Sequence, residues 1–180
     1  MDILARKAIL TAFFLLCLIG CVSTPSDKFN FSLKAGEGKG SVWSKSLLAS
    51  SSDMVFKFHL QQSIPRAADV RFAFSSFNKG DPELTIRLTD RSCSGAYEVG
   101  VSYRSGTREI QSFYFRKKLL WDEYTTIAVR WEKGNQVLMT LNGDEVKKME
   151  TLNAIRTVDI NVESGGLDMD ELVYQNLEAK

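Results

Sequence analysis

The segment Val137-Leu-Met-Thr-Leu-Asn-Gly-Asp-Glu-Val-Lys-Lys-Met149 carries the strongest fold signal in the chain. Asn142-Gly143 lies at its centre, between two short segments that mix β-forming and polar residues. A type I′ turn needs positive φ at both central residues, and the Asn-Gly pair adopts this conformation readily. The segment therefore predicts a β-hairpin whose strands are Val137–Leu141 and Glu145–Met149.

Apolar and polar residues also alternate outside this hairpin, from Phe29 onward. No segment keeps a helical period for three turns, so strands are favoured throughout. Turn signals separate about ten to twelve short strands, which indicates an all-β antiparallel sandwich. The apolar sets expected to face the core are Met54, Phe56, Phe58 and Leu60; Val70, Phe72 and Phe74; Leu84, Ile86 and Leu88; and Tyr97, Val99, Val101 and Tyr103.

Two segments carry a family resemblance. Trp121–Trp131, followed by Val137–Gly143, resembles the central hairpin of concanavalin A-like lectin/glucanase domains, including the laminin-G type. Gly166–Leu177 is similar to the last strand of those domains, with an Asp, an aliphatic residue, an aromatic residue and a final Asn-x-Leu. The resemblance implies a jelly-roll sandwich. Aromatic residues populate strands mainly for packing, so we expect four of them to lie between the sheets: Phe113, Trp121, Tyr124 and Trp131.

The amino-terminal segment differs in composition from the rest. Arg6 and Lys7 precede the apolar run Ala8–Gly20, whose 13 residues are too few to cross a membrane core of about 30 Å. This pattern predicts a signal peptide. The run ends in Leu18-Ile19-Gly20-Cys21, which resembles the lipobox of bacterial lipoproteins. The resemblance implies cleavage before Cys21 and lipidation of that residue, and two or more acyl chains anchor a protein stably. An ordinary signal peptide or an uncleaved anchor is the alternative.

The chain therefore divides into three parts. Residues 1–20 are the expected signal peptide, and residues 21–28 are the expected lipidated cysteine with a polar, Pro-containing tether. Residues 29–180 form the expected sandwich domain. Val22 rather than Asp follows the cysteine, and the lipoprotein resemblance then implies the outer membrane or cell surface.

Charge and composition exclude several kinds of partner. The chain has 23 Lys+Arg and 22 Asp+Glu; removing residues 1–20 takes away Arg6, Lys7 and Asp2, which leaves 21 of each. A neutral domain lacks the basic excess of nucleic-acid-binding proteins, so no nucleic acid partner is expected. Cys93 is the only other cysteine after residue 20, and His59 is the only histidine. Neither an internal disulfide nor a zinc site is expected, and no cofactor is indicated.

Catalytic patterns are weak. Glycosidases of this fold carry Glu-x-Asp-x-Glu on one strand, and the chain has no such motif. Asp168 and Asp170 are the nearest acidic pair and also weak candidates for calcium, but they belong to the closing-strand pattern. His59 is expected at the surface, and Cys93 in a polar turn. We therefore expect no enzyme, with a polysaccharide hydrolase or lyase of atypical site as the alternative.

Binding is better supported. If Phe72, Ile86, Val99 and Val129 point into the sandwich, their neighbours point outward. Arginine forks suit carboxylates and sugar hydroxyls, whereas scattered charges on a solvated face are the alternative. The sequence thus predicts a membrane-anchored, non-catalytic, lectin-like module for a glycan or another envelope component; a structural lipoprotein with a protein partner is the alternative. The candidate ligand-binding residues are Arg71, Arg87, Glu98 and Arg130.

Overall fold

The computed structural model describes residues 26–33, 40–47, 51–61, 68–76, 82–89, 96–121, 123–132, 135–143 and 145–177. Within these residues the chain forms thirteen strands and no helix, and hence no helix long and apolar enough to cross a membrane. The strands are β1 (Ser26–Leu33), β2 (Gly40–Ser46), β3 (Ser52–Gln61), β4 (Asp69–Ser75), β5 (Leu84–Thr89), β6 (Ala96–Arg104), β7 (Ile110–Tyr114), β8 (Leu119–Leu120), β9 (Thr125–Glu132), β10 (Gln136–Leu141), β11 (Glu145–Glu150), β12 (Thr157–Ser164) and β13 (Gly166–Asn176).

The strands form two antiparallel sheets that face each other. The first sheet has the order β1-β13-β3-β9-β10-β11, and the second has the order β2-β12-β4-β5-β6-β7, with β8 paired to β6. The chain passes from one sheet to the other at each step from β1 to β4. The predicted jelly-roll sandwich is confirmed. The strand number exceeds the expectation because β8 has only two residues and shows no alternation of its own.

The core lies between the two sheets and consists of the predicted alternating sets. All members of these sets are buried except Tyr103, which is half-buried at the end of its strand. Rings from the two sheets meet directly: the centroids of Phe56 and Phe72 lie 4.9 Å apart, and those of Phe74 and Trp131 lie 6.3 Å apart. Burial of aromatic side chains on this scale is the main stabilising contribution to such a domain.

The packing expectation for the four aromatic residues is confirmed for three of them. Trp131 is 2% exposed, and Trp121 and Phe113 pack against the core. It is wrong for Tyr124, which is 51% exposed and lies 5.8 Å from the ring of His59. Tyr124 precedes the first residue of β9, so it lies outside the pleat, and the inward position goes to Thr125.

Thr125 also links the two sheets. Its hydroxyl forms a buried hydrogen bond with the hydroxyl of Tyr97 on the opposite sheet. Burial disfavours the ionised phenol and raises the pKa of Tyr97 to about 12, although the bond to Thr125 opposes part of this shift. The contact gives both buried hydroxyls a partner.

The predicted hairpin turn is also confirmed. Asn142 and Gly143 have φ angles of 50° and 76°, as a type I′ conformation requires. The side-chain oxygen of Asn142 accepts a hydrogen bond of 2.7 Å from the backbone N–H of Thr126, which holds the turn against β9.

Backbone hydrogen bonds show which loops meet at one end of the sandwich. The N–H of Leu177 donates to Ser51, and the N–H of Leu152 donates to Arg104 on the other sheet. The N–H of Arg156 donates to Ser75 in the same region. Ser26, the first residue of β1, pairs with Gln175 at this end. We call this end, defined by Ser26, Leu152 and Leu177, the terminal end; β1 thus begins three residues before Phe29.

Candidate functional site

Three of the four candidate ligand-binding residues lie on neighbouring strands of the second sheet. Arg71 on β4 is directly opposite Arg87 on β5, and Glu98 on β6 is opposite Thr89 on β5. All three point away from the core, because their chain neighbours are buried. Arg130 also points outward, but it lies on β9 in the first sheet, so it is on the other side of the molecule.

The outer face of the second sheet contains a depression of about 350 Å³ that includes Arg71 and Arg87. Hydroxyl groups of Ser and Thr dominate its floor, and none of the described lining residues is acidic. We call it the arginine depression. Its lining residues are Arg71, Pro82, Thr85, Arg87, Thr89, Gly100, Val101, Ser102, Ser112, Phe113 and Tyr114.

The aromatic side of the arginine depression depends on Gly100. Gly100 on β6 pairs with Tyr114 on β7, and a Cβ atom at position 100 would lie 2.8 Å from Cε1 of Tyr114. The phenol ring therefore lies over the glycine, where any other residue would displace it. Tyr114 is nevertheless 47% exposed, so it presents part of its ring to solvent beside the guanidinium of Arg87.

Arg87 is held by a carboxylate from the next strand. Its Nε donates to Oδ1 of Asp69 at 2.9 Å, and its Nη2 donates to Oδ2 of the same residue. These hydrogen bonds raise the pKa of Arg87 above its already high ordinary value. A guanidinium carries five N–H donors, and the pair with Asp69 uses two of them in a planar fork. Asp69 thus fixes the orientation of Arg87 within the depression.

Arg71, unlike Arg87, is not held by a carboxylate of any described residue. It forms no hydrogen bond or ion pair within the described part of the chain, although its side chain is half-buried. Within the described part of the chain, acidic residues lie beside the depression and not in its lining. Asp69 is one of them, and Glu98 on β6 and Asp159 and Glu163 on β12 also point outward on this sheet.

Arg130 lies beside Asp53 on the first sheet, away from the arginine depression. Its Nη2 donates to Oδ2 of Asp53 at 2.7 Å, which raises the pKa of Arg130. It borders a smaller depression of about 160 Å³ together with Glu132, Leu138 and Lys148. An exposed ion pair of this kind contributes little to stability.

The acidic pair Asp168 and Asp170 lies apart from these two depressions, and Asp170 lines another one of about 460 Å³ together with Lys28 and Glu171. The register of β13 against β3 shifts between Met169 and Glu171, so Asp170 is the extra residue of a bulge. Lys57 donates to its carboxylate at 2.6 Å, and this hydrogen bond raises the pKa of Lys57. Asp168 is opposite His59. Among the residues that the structure describes, no group of three potential metal ligands occurs. Cys21 and Cys93 lie outside those residues.

Sequence reasoning identified both arginines of the depression but missed Gly100 and Tyr114. A glycine inside a strand indicates close approach of another group, and this signal was available at Gly100. Its partner depends on the register of the β6–β7 hairpin, in which Val101 is opposite Phe113. Tyr114 then takes the outward position because Phe113 packs inward.

The fold is shared with proteins of known structure that include a galectin, an alginate lyase and a CBM2 module. Sheep galectin-11 in complex with glycerol is 11% identical with a TM-score of 0.52, and the match covers 73% of this chain and 96% of galectin-11. The alginate lyase from Alteromonas sp. 272 is 10% identical with a TM-score of 0.53, covering 81% and 77%. The CBM2 module of Lactobacillus casei BL23 phage J-1 evolved Dit is 11% identical with a TM-score of 0.51, covering 84% and 68%.

At such identities these likenesses establish the jelly-roll fold alone. No protein-family model matches the sequence, and no curated protein sequence matches it.

Proposed function

We propose that this protein is a membrane-anchored carbohydrate-binding module whose ligand occupies the arginine depression. The observation that carries the proposal is the placement of Tyr114 over Gly100, which exposes an aromatic ring beside an oriented guanidinium and four hydroxyl groups. Binding sites typically combine an apolar surface with a few polar groups that fix the ligand. A sugar ring offers an apolar face and a rim of hydroxyls, which matches both parts.

Binding without catalysis agrees with the side chains present. Glycoside hydrolysis needs two carboxyl groups across the scissile bond, and none of the residues that the structure describes in the lining of the depression is acidic. The only histidine of the chain, His59, lies on the first sheet, so no imidazole reaches the site. Sheep galectin-11 and the CBM2 module share the scaffold, which is consistent with a sugar ligand on one of its sheets.

The test is glycan binding by the purified protein and by two tyrosine variants. On an array of oligosaccharides and bacterial envelope polysaccharides, we expect Tyr114→Ala to weaken binding roughly 10- to 100-fold, since loss of an aromatic contact costs about 1.5–3 kcal/mol. Tyr124→Ala is the matched control, because Tyr124 is exposed to a similar extent but lies near the first sheet. Calorimetry on the best ligand gives the dissociation constants.

Three results would count against the proposal. Absence of binding to every glycan would refute it, and so would equal loss in the two variants. Release of reducing or unsaturated ends from a bound polysaccharide would replace it with the hydrolase or lyase alternative.

Lipid anchoring at Cys21 would place the sandwich close to a membrane. Residues 22–25 separate Cys21 from the first residue of β1, and the five residue steps from Cys21 to Ser26 span at most about 18 Å. The terminal end would therefore face the lipid surface. The strands would then point away from it, and the arginine depression would open sideways along the membrane, accessible to an envelope glycan.

Replacement of the cysteine tests the anchor. In cells supplied with labelled palmitate, we expect Cys21→Ser to lose the label and to leave the membrane fraction, because only a thiol forms the thioether to diacylglycerol. Cys17→Ser is the matched control within the apolar run and should keep both properties. A labelled, membrane-bound Cys21→Ser protein would contradict lipidation at this position.

A further inference from the structure

The two arginines of the depression form an unusual pair. Arg71 and Arg87 are directly opposite each other on neighbouring strands, and like charges in that position destabilise a sheet. Asp69 binds Arg87 through both carboxylate oxygens, which offsets the charge of that residue. No described residue does the same for Arg71. A local arrangement that opposes stability without internal compensation is a common mark of a functional site.

The surroundings of Arg71 favour an anionic group from outside. Among the described residues that line the depression none carries a carboxylate, and the nearby carboxylate of Asp69 is already bound to Arg87. A planar guanidinium binds a carboxylate through two parallel N–H···O bonds, and these charge-assisted bonds are about twice as strong as neutral ones. A lysine or a hydroxyl at this position would not offer the same fork. Arg71 is therefore suited to a carboxylate on the ligand.

The aromatic and cationic parts of the depression are separated. The ring of Tyr114 lies over Gly100 on β6, whereas Arg71 is on β4, two strand spacings or roughly 10 Å away. The sugar that stacks on Tyr114 and the group that binds Arg71 therefore belong to different parts of an extended ligand.

Acidic residues beside the depression limit how much negative charge the ligand can carry. Glu98 on β6 and Asp159 and Glu163 on β12 also point outward on this sheet, and both strands lie within two strand spacings, roughly 10 Å, of β4 and β5, a range over which exposed charges still interact. Asp159 is opposite Ala73 on β4, next but one to Arg71 along the strand. A second or third carboxylate along the ligand would meet these residues and be repelled.

We infer that the arginine depression selects a glycan with a single acidic sugar, whose carboxylate binds Arg71 while a neutral sugar stacks on Tyr114. The inference rests on the proposed carbohydrate site and names its ligand class. It distinguishes the ligand from a fully neutral glycan and from a polyuronate in which every sugar is charged.

Matched oligosaccharides test this selectivity. The probes are xylo-oligosaccharides with and without one glucuronic acid, sialylated and unsialylated lactose, and oligoalginates, supplemented by the best-bound envelope glycan before and after reduction of its carboxyl groups to alcohols. We expect the singly acidic member of the best-bound pair to bind at least roughly tenfold more tightly than its neutral partner. Oligoalginate should bind no better than the singly acidic glycan.

The variants separate a role in specificity from a role in structure. Arg71→Gln should abolish the preference, so that the dissociation constants of the acidic and neutral partners differ by no more than about twofold, and Arg71→Lys should restore only part of it. Arg130→Gln, on the other sheet, should keep the full preference.

The following results would contradict the inference. Equal binding of acidic and neutral partners, or tighter binding of oligoalginate, would overturn it and leave the carbohydrate site intact. An acid preference that survives in Arg71→Gln would overturn the role of Arg71. Failure of all glycans to bind would refute the proposed function itself, and the inference with it.

Discussion

Replacing Gly165 with alanine is expected to lower the free energy of unfolding by roughly 2–5 kcal/mol, the largest loss of stability that we predict. Gly165 connects the second sheet to the first, between β12 and β13, and its φ angle is +79°. A side chain in this left-handed conformation is strained. The added Cβ would also lie 2.6 Å from Cβ of Ala68 and 2.9 Å from the backbone oxygen of Gln61.

The crowding at Gly165 has a structural cause. Gln61 ends β3 in the first sheet, and Ala68, which is 1% exposed, precedes β4 in the second. Two passages between the sheets therefore meet at this corner. Neither the Cβ of Ala68 nor the backbone oxygen of Gln61 is the far end of a flexible side chain, so the backbone itself would have to move. Such movement in a closely packed region is costly.

Two other glycines allow the cost of the left-handed backbone at Gly165 to be separated from the cost of its steric clash, with urea unfolding as the measurement. Gly143 has a φ of +76° with nothing within 4 Å, so Gly143→Ala should show the conformational cost alone, about 1 kcal/mol. Gly106 has neither a left-handed φ nor a close contact, since the nearest atom to an added Cβ is 4.0 Å away. Gly106→Ala should therefore be close to neutral in stability.

The double variant Gly165→Ala with Ala68→Gly should recover part of the loss, because the closest clash is removed. Equal unfolding midpoints for all three single variants would show that the corner is not crowded. If Gly165→Ala gives no folded protein, the double variant supplies the comparison.

The sequence was sufficient for the strands because their alternation is a local property. Each outward arginine was identified from its buried neighbours, such as Phe72 beside Arg71 and Val129 beside Arg130. Membership of a sheet is not local. β9 joins β3 and β10, whereas β4 and β5 pair in the other sheet, and no pattern within a single strand distinguishes Arg130 from Arg87. The fold class was therefore predictable, but the grouping of the candidate residues was not.

Two further features of the surface depend on details that alternation cannot show. The bulge between Met169 and Glu171 moves Asp170 out of the pairing pattern, so the alternation of inward and outward residues along β13 is interrupted there. Tyr114 and Gly100 come together only because the β6–β7 hairpin aligns Val101 with Phe113. A turn one residue longer would place a different side chain over Gly100.

The alignment of Gly100 with Tyr114 leads to the second large effect, on binding and not on stability. In the variant Gly100→Val the new Cβ atom would displace the phenol ring, since the closest contact, at 2.8 Å, is with Cε1 of Tyr114. The branched side chain would also occupy space above the floor of the depression. We expect glycan binding to fall at least roughly 100-fold, because the stacking surface is lost and the volume is filled.

The Gly100→Val variant should still fold, so a loss of binding in it can be assigned to the site. The clash involves the far end of a flexible, 47% exposed side chain, which can swing into solvent without moving the backbone. Gly100 lies in the middle of β6, where valine is favoured over glycine by up to about 1 kcal/mol. The unfolding midpoint should therefore stay the same or rise.

Ala128→Val is the matched control, because it adds a branched side chain to the outer face of β9, opposite Val55 and Thr140 in the first sheet. Calorimetry with the best-bound glycan, together with urea unfolding, separates the possibilities. Loss of binding in Gly100→Val alone, at unchanged stability, would assign the ligand to the arginine depression. Retained binding in Gly100→Val would exclude Tyr114 as the stacking surface, and equal loss in both variants would exclude a site confined to the second sheet.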